Sequence, residues 1–123
     1  MLTVSGNHKF YFIPGVTDMR FGYHKLLQII KNSYHMNPMD GSAFVFMSKN
    51  RKTIRMVNFE AHAYNLHQKT FTAGYSFMKL EFVDQKPVYH MEWKDLMAVL
   101  ESPVVKTLRI GSSESEFQAL KDV

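Results

Sequence analysis

Among 123 residues, the groups able to do chemistry fall into three sets: three carboxylates inside a basic stretch, six histidines, and a run of cations. Asp18, Asp40 and Glu60 are the only acids before residue 80. Three converging carboxylates can hold a divalent cation for phosphoryl transfer, which defines a small metal-dependent nuclease as one reading. Each acid also has a local explanation: a helix cap, a turn before Gly41, and a strand end. His62 and His67 are five apart, which on a strand places them on opposite faces, and no recognised ligand motif adjoins them. With no cysteine in the chain, thiolate metal sites, disulfides and Cys-His nucleophiles are excluded. No phosphate-binding glycine loop and no GxSxG elbow occurs. The expectation is therefore no catalytic residue, no metal and no cofactor.

The cations remain. Residues 1–79 carry ten Lys/Arg against three Asp/Glu, a net of +7, whereas residues 80–123 carry five against eight, a net of −3. Lys49, Arg51 and Lys52 fall in "KNRK", which reads as a hairpin tip, with Arg55 just inside the following strand. Arg20, Lys25 and Lys31 fall on the first helical pattern, and Lys9 on the first strand. Lysine and arginine on exposed elements neutralise phosphates and give affinity without sequence choice. The candidate nucleic-acid contacts are Arg20, Lys31, Lys49, Arg51, Lys52 and Arg55, gathered on one solvent-facing surface. Arg20 has a second, structural reading as a bridge to Asp18. The competing reading of the whole set is a charged rim that keeps a hairpin soluble and protects sheet edges.

These side chains must be positioned by a single domain, residues 1–123, of α+β class: a mostly antiparallel sheet with one main helix and a shorter one. "HKFYFI", 8–13, reads as a strand closed by Pro14-Gly15. Tyr23, Leu26, Leu27, Ile30 and Tyr34 mark the main amphipathic helix, about 18–34, capped by Thr17 or Asp18 and carrying Gly22 inside it at a close approach. "SAFVFMS", 42–48, and "TIRMVNF", 53–59, read as a hairpin, and 60–71 as a further strand. "FMKLEF", 77–82, alternates as a strand, and residues 88–91 form a short one. Trp93, Leu96, Met97 and Leu100 mark the second helix, about 93–101, stopped before Pro103, with Trp93 as its anchor on the sheet. "VVKTLRI" reads as an edge strand, and Ser113 with Glu116 forms a capping box for a short terminal helix. The nine methionines are expected to fill core gaps. The absence of a leader pattern and of a membrane-spanning run makes the cytoplasm the expected location.

"TDMRFGYHKLLQII", "NPMDGSAFVFMSKNRKTIRMVNFEAHAYNLHQKTF" and "WKDLMAVLES", in that order and spacing, resemble one family. It is the accessory (TnpB-type) protein from the second open reading frame of the insertion-sequence sixty-six transposons. The likeness covers about residues 9–102 and leaves 103–123 as an extension. It implies a non-catalytic accessory protein of a bacterial insertion sequence, with DNA, through its phosphate backbone, and the cognate transposase or other element-encoded proteins as partners. The chain departs from the family pattern at "FEAHAYN", where a glycine-containing turn is usual. It departs again at "HQKTF", which keeps Lys69 but lacks the adjacent arginine and acid. A protein-interaction module without DNA contact is the alternative; it requires an exposed apolar patch.

Overall fold

The computed structural model describes residues 8–72, 74–101, 106–110 and 116–119. Strands β1 (Phe10–Phe12), β2 (Ala43–Met47), β3 (Thr53–Glu60), β4 (Ala63–Thr70) and β6 (Tyr89–Met91) form one mixed sheet in the order β4-β3-β2-β1-β6. Its neighbours are antiparallel except β1 and β2, which run parallel and are joined through helix α1 (Tyr23–Gln28). Strand β5 (Lys79–Phe82) belongs to a second sheet, β5-β7-β8, with β7 at Lys106–Ile110 and β8 at Glu116–Ala119.

Both faces of the five-stranded sheet are covered. Ile13, Leu26, Ile30, Phe44, Phe46 and Val57 make the core under α1. Phe10, Val45, Met56, Phe77, Leu96 and Val99 belong to a larger core on the opposite face, under helix α2 (Trp93–Glu101). A strand buried on both faces has no reason to alternate. β2, AFVFM, is buried at every position. The Trp93 ring packs tilted against Phe10, 5.5 Å between centroids, and so anchors α2 on β1 as expected. Met47, Met56, Met78 and Met91 are core residues.

The main helix is shorter than its apolar stripe. It begins at Tyr23, behind Gly22, whose side offers no cap and whose missing β-carbon would meet nothing within 4 Å. Gly22 is thus a boundary residue, and neither Thr17 nor Asp18 is the cap. Asp18 instead accepts the Arg20 amide at 2.9 Å, a local turn that competes with helix. After Gln28 the chain widens into a π turn over Ile29–Ser33, with the Tyr34 amide on the Ile29 carbonyl at 3.2 Å. His35, at φ 55°, and the Met36 amide on the Ile30 carbonyl close it. The extra residue in that turn holds Tyr34 against the β1 end. A β-carbon at Gly15 would lie 2.7 Å from the Tyr34 hydroxyl oxygen, so the turn after β1 takes glycine there.

Three further expectations are corrected. In "FMKLEF" only Lys79–Phe82 is strand; Phe77 and Met78 are both buried ahead of it. Within "VVKTLRI", Lys106–Ile110 is the middle strand of its sheet, not an edge, with β5 parallel on one side and β8 antiparallel on the other. Glu116–Ala119 is strand rather than terminal helix, because cross-strand pairing with β7 overrides a local cap signal; Ser113, Val104 and Val105 lie outside the described residues.

Candidate interaction surface

The six predicted phosphate contacts go to different places. Arg55 lies in β3 between Ile54 and Met56, and its face of the strand is the one under α1. It is 7% exposed. One guanidinium nitrogen donates to the Met19 carbonyl at 3.0 Å and to the Phe21 carbonyl. Burial pushes its pKa down, and its side chain forms no ion pair with an acid among the described residues. The expectation of a surface cation here is corrected: Arg55 pins the segment before α1 to the sheet. By taking the Met19 and Phe21 carbonyls it also explains why helix does not start earlier.

Arg20 sits on that pinned segment, not on the helix, with its side chain 90% exposed. It forks onto Asp18, with Nε on Oδ1 at 3.0 Å and a terminal nitrogen on Oδ2 at 2.8 Å. The structural reading of Arg20 therefore holds, while its outer edge still faces solvent. Asp18 is lowered from 3.8 to about 2, first by the Arg20 side-chain hydrogen bonds, then by the Arg20 amide, with the positive charge adding to both. A carboxylate depressed in this way stabilises the folded state above pH 3.8, and that contribution is lost as pH falls toward 2. NMR titration of the Asp18 side-chain carbon should find its midpoint near 2, rising in Arg20→Gln but staying below 3.8 because the residue-20 amide still donates. An unchanged midpoint in the variant would remove Arg20 as the cause.

The hairpin tip is tied inward as well. Arg51 adopts φ 59°, which only a turn demands of a non-glycine residue. Its carbonyl accepts the Phe77 amide at 2.6 Å, and its guanidinium reaches the Phe77 carbonyl at 3.5 Å. Lys52 Nζ donates to the Tyr75 carbonyl at 2.6 Å. Lys49 is exposed at the apex. Arg51 and Lys52 are thus clasps on the 71–78 segment, on the α2 side, whereas Arg20 and Lys31 attach to the α1 side.

No cluster of three His, Asp or Glu able to hold a metal occurs among the described residues. Asp18 is committed to Arg20, and Asp40 to the Ser42 amide at 2.8 Å. The nuclease reading has no geometric support there.

Two features at strand β4 were not singled out by sequence reasoning. On the α1 side a groove of about 720 Å³ runs between the π turn and β4, lined among others by His24, Lys31, His35, Met36, Met39 and Tyr64. Met39 in its lining is exposed, as are Tyr23 and Leu66 outside it, with the Tyr23 and Tyr64 rings 6.0 Å apart. On the α2 side an apolar slot of about 170 Å³ opens between Ile54, Met56, Leu96 and Leu100. There Lys69 Nζ donates to the Leu100 carbonyl, meeting the negative end of α2. The available signal was in β4 itself: half-buried Tyr64 and exposed Leu66 alternating with polar residues in a strand that ends a sheet.

The chain is thus a small α+β protein with exposed apolar and cationic side chains beside one sheet edge. The chain belongs to the family described as IS66 Orf2 like protein, whose model matches residues 8–109. That membership supports an accessory role in an insertion sequence and confirms the resemblance read from "TDMR" and "NPMDGSAFVF". No curated protein and no solved structure matches the chain. No helix among the described residues is long and apolar enough to cross a membrane.

Proposed function

We propose that this protein is a non-catalytic accessory factor of a bacterial insertion sequence that assists transposition mainly by docking on an element-encoded protein, the transposase foremost. DNA phosphate contact by Arg20, Lys31 and Lys49 is a lesser contribution. One observation carries the weighting. Of the six cations a phosphate-tracking surface would need, Arg55 is buried on carbonyls, Arg51 and Lys52 are clasped to the 71–78 segment, and Arg20 is forked onto Asp18. Cations already engaged within the protein neutralise few phosphates at once, and affinity for duplex DNA grows with the number neutralised together. The exposed apolar residues beside β4 supply what a protein partner needs and DNA does not.

Fluorescence anisotropy against element-end and scrambled DNA, between about 50 and 200 mM salt, separates the readings. The chain alone is expected to bind both DNAs weakly and alike, and to join a DNA complex selectively only when transposase is present. Lys49→Glu should change the weak binding by no more than a few-fold. Tight binding by the chain alone, lost on reversal of Lys49, Arg51 and Lys52, would overturn the weighting toward a protein partner. Since Arg51 and Lys52 also hold the 71–78 segment, each of those variants must first show an unchanged melting transition.

A further inference from the structure

β4 is the outermost strand of its sheet, with β3 on one side and no described strand on the other. The two-residue turn between Glu60 and Ala63 makes those two a hydrogen-bonded pair, and such pairs recur at every second position. Ala63, Asn65, His67 and Lys69 therefore point their amides and carbonyls at β3, and the Phe71 amide on the Lys52 carbonyl continues the series. Tyr64, Leu66, Gln68 and Thr70 point theirs away from the sheet.

Proteins ordinarily blunt such an edge with proline, bulges, short length or charge. Here eight residues pair with β3 in unbroken register, without proline or bulge, and carry one lysine. The edge also lies between two receptacles. The groove with Lys31, His24 and His35, lined by no Asp or Glu, is on one face; the aliphatic slot of Ile54, Met56, Leu96 and Leu100 is on the other. A strand laid along β4 alternates its side chains between those faces.

We propose that the β4 edge binds an extended segment of a partner protein by strand addition, and that the segment alternates acidic with aliphatic residues. The acids lie along the Lys31 groove, and the aliphatic side chains cover the mouth of the slot. Main-chain hydrogen bonds to Tyr64, Leu66, Gln68 and Thr70 supply affinity, and the alternation supplies choice. That the segment belongs to an element-encoded protein rests on the function proposed above; the edge itself does not.

The probe is a synthetic nine-residue peptide alternating glutamate and valine, titrated into the full chain while amide hydrogen exchange is followed. Protection should appear at Tyr64, Leu66, Gln68 and Thr70 and scarcely change at Asn65 and His67. Gln68→Pro removes one outward amide and leaves the β3 ladder whole, so it should keep the melting transition and lose at least tenfold in peptide affinity. A second variant, Lys31→Glu, should weaken the glutamate peptide several-fold and favour a lysine-valine peptide instead. Equal binding of both peptides to the native chain would overturn the acidic assignment. Protection that rises with protein concentration and without peptide would overturn the partner in favour of a second copy of this chain. No protection under any of these conditions would overturn strand addition altogether. Peptide binding without any association with transposase would sink the function proposed above and leave this site standing.

Discussion

Replacing Arg55 by alanine is expected to cost about 3 kcal/mol of unfolding free energy, a large share of a small domain's stability. Three losses add. The Met19 and Phe21 carbonyls lose a charged donor, they stay in a partly buried place with no protein replacement, and the buried arginine stem no longer fills space on the Val57 face of β3. Two further variants divide the loss. Arg55→Met keeps the stem and removes the donors, so it should recover the packing part only. Arg55→Lys keeps a charge, but its shorter stem does not carry the donor as far as the terminal guanidinium nitrogen that meets both carbonyls, so it should fall between methionine and arginine. Urea unfolding of the three variants at neutral pH provides the comparison. If alanine costs less than about 1 kcal/mol, the pin between the 19–21 segment and β3 is not a stabilising contact.

In the opposite direction, the turn joining β3 to β4 should reward redesign. Ala61 and His62 occupy it with φ of 51° and 64°. Two successive positive values are the requirement of a tight hairpin turn that favours Asn-Gly, and left-handed backbone costs an ordinary residue on the order of 1 kcal/mol or more. Ala61→Asn together with His62→Gly should raise stability by about 1–2 kcal/mol, part of the relief being offset by the greater freedom of glycine when unfolded. The two residues face solvent at the sheet's end, so no core contact changes. A shift of the urea midpoint at constant slope is the expected signature; an unchanged midpoint would mean that the strain is absorbed elsewhere. The departure from the family pattern at "FEAHAYN" is thus a turn kept in the glycine-favouring geometry without glycine.

Much of this architecture could be read from residue order. The apolar run 42–48, the polar tip and the strand 53–59 identified the central hairpin, and the Trp93-to-Leu100 stripe identified α2 within a residue. The misreadings have physical causes. Asp18 and Arg20 satisfy each other and their own backbone, a short-range solution that outcompetes an early helix start. The C-terminal strands owe their state to partners distant in sequence, which no local window contains. Arg55 was legible in principle. Its neighbour strand is apolar at successive positions, a sign that the sheet is covered on both faces, and an arginine midway along the next strand then has no route to solvent. What could not be read was the capture of Arg51 and Lys52 by Phe77 and Tyr75, since that depends on a segment more than twenty residues away folding against the hairpin tip.

The clasp at the β2–β3 tip bears on how this protein can be handled. In the sequence, "KNRK" looks like the most permissive place in the chain for an internal tag, a dye-labelled cysteine or a grafted reporter. With the Arg51 carbonyl holding the Phe77 amide and Lys52 holding the Tyr75 carbonyl, cargo spliced there would pry open the support beneath Phe71 and Phe77. A fluorophore is better attached at Lys94, an exposed residue of α2 away from the Lys69–Leu100 contact.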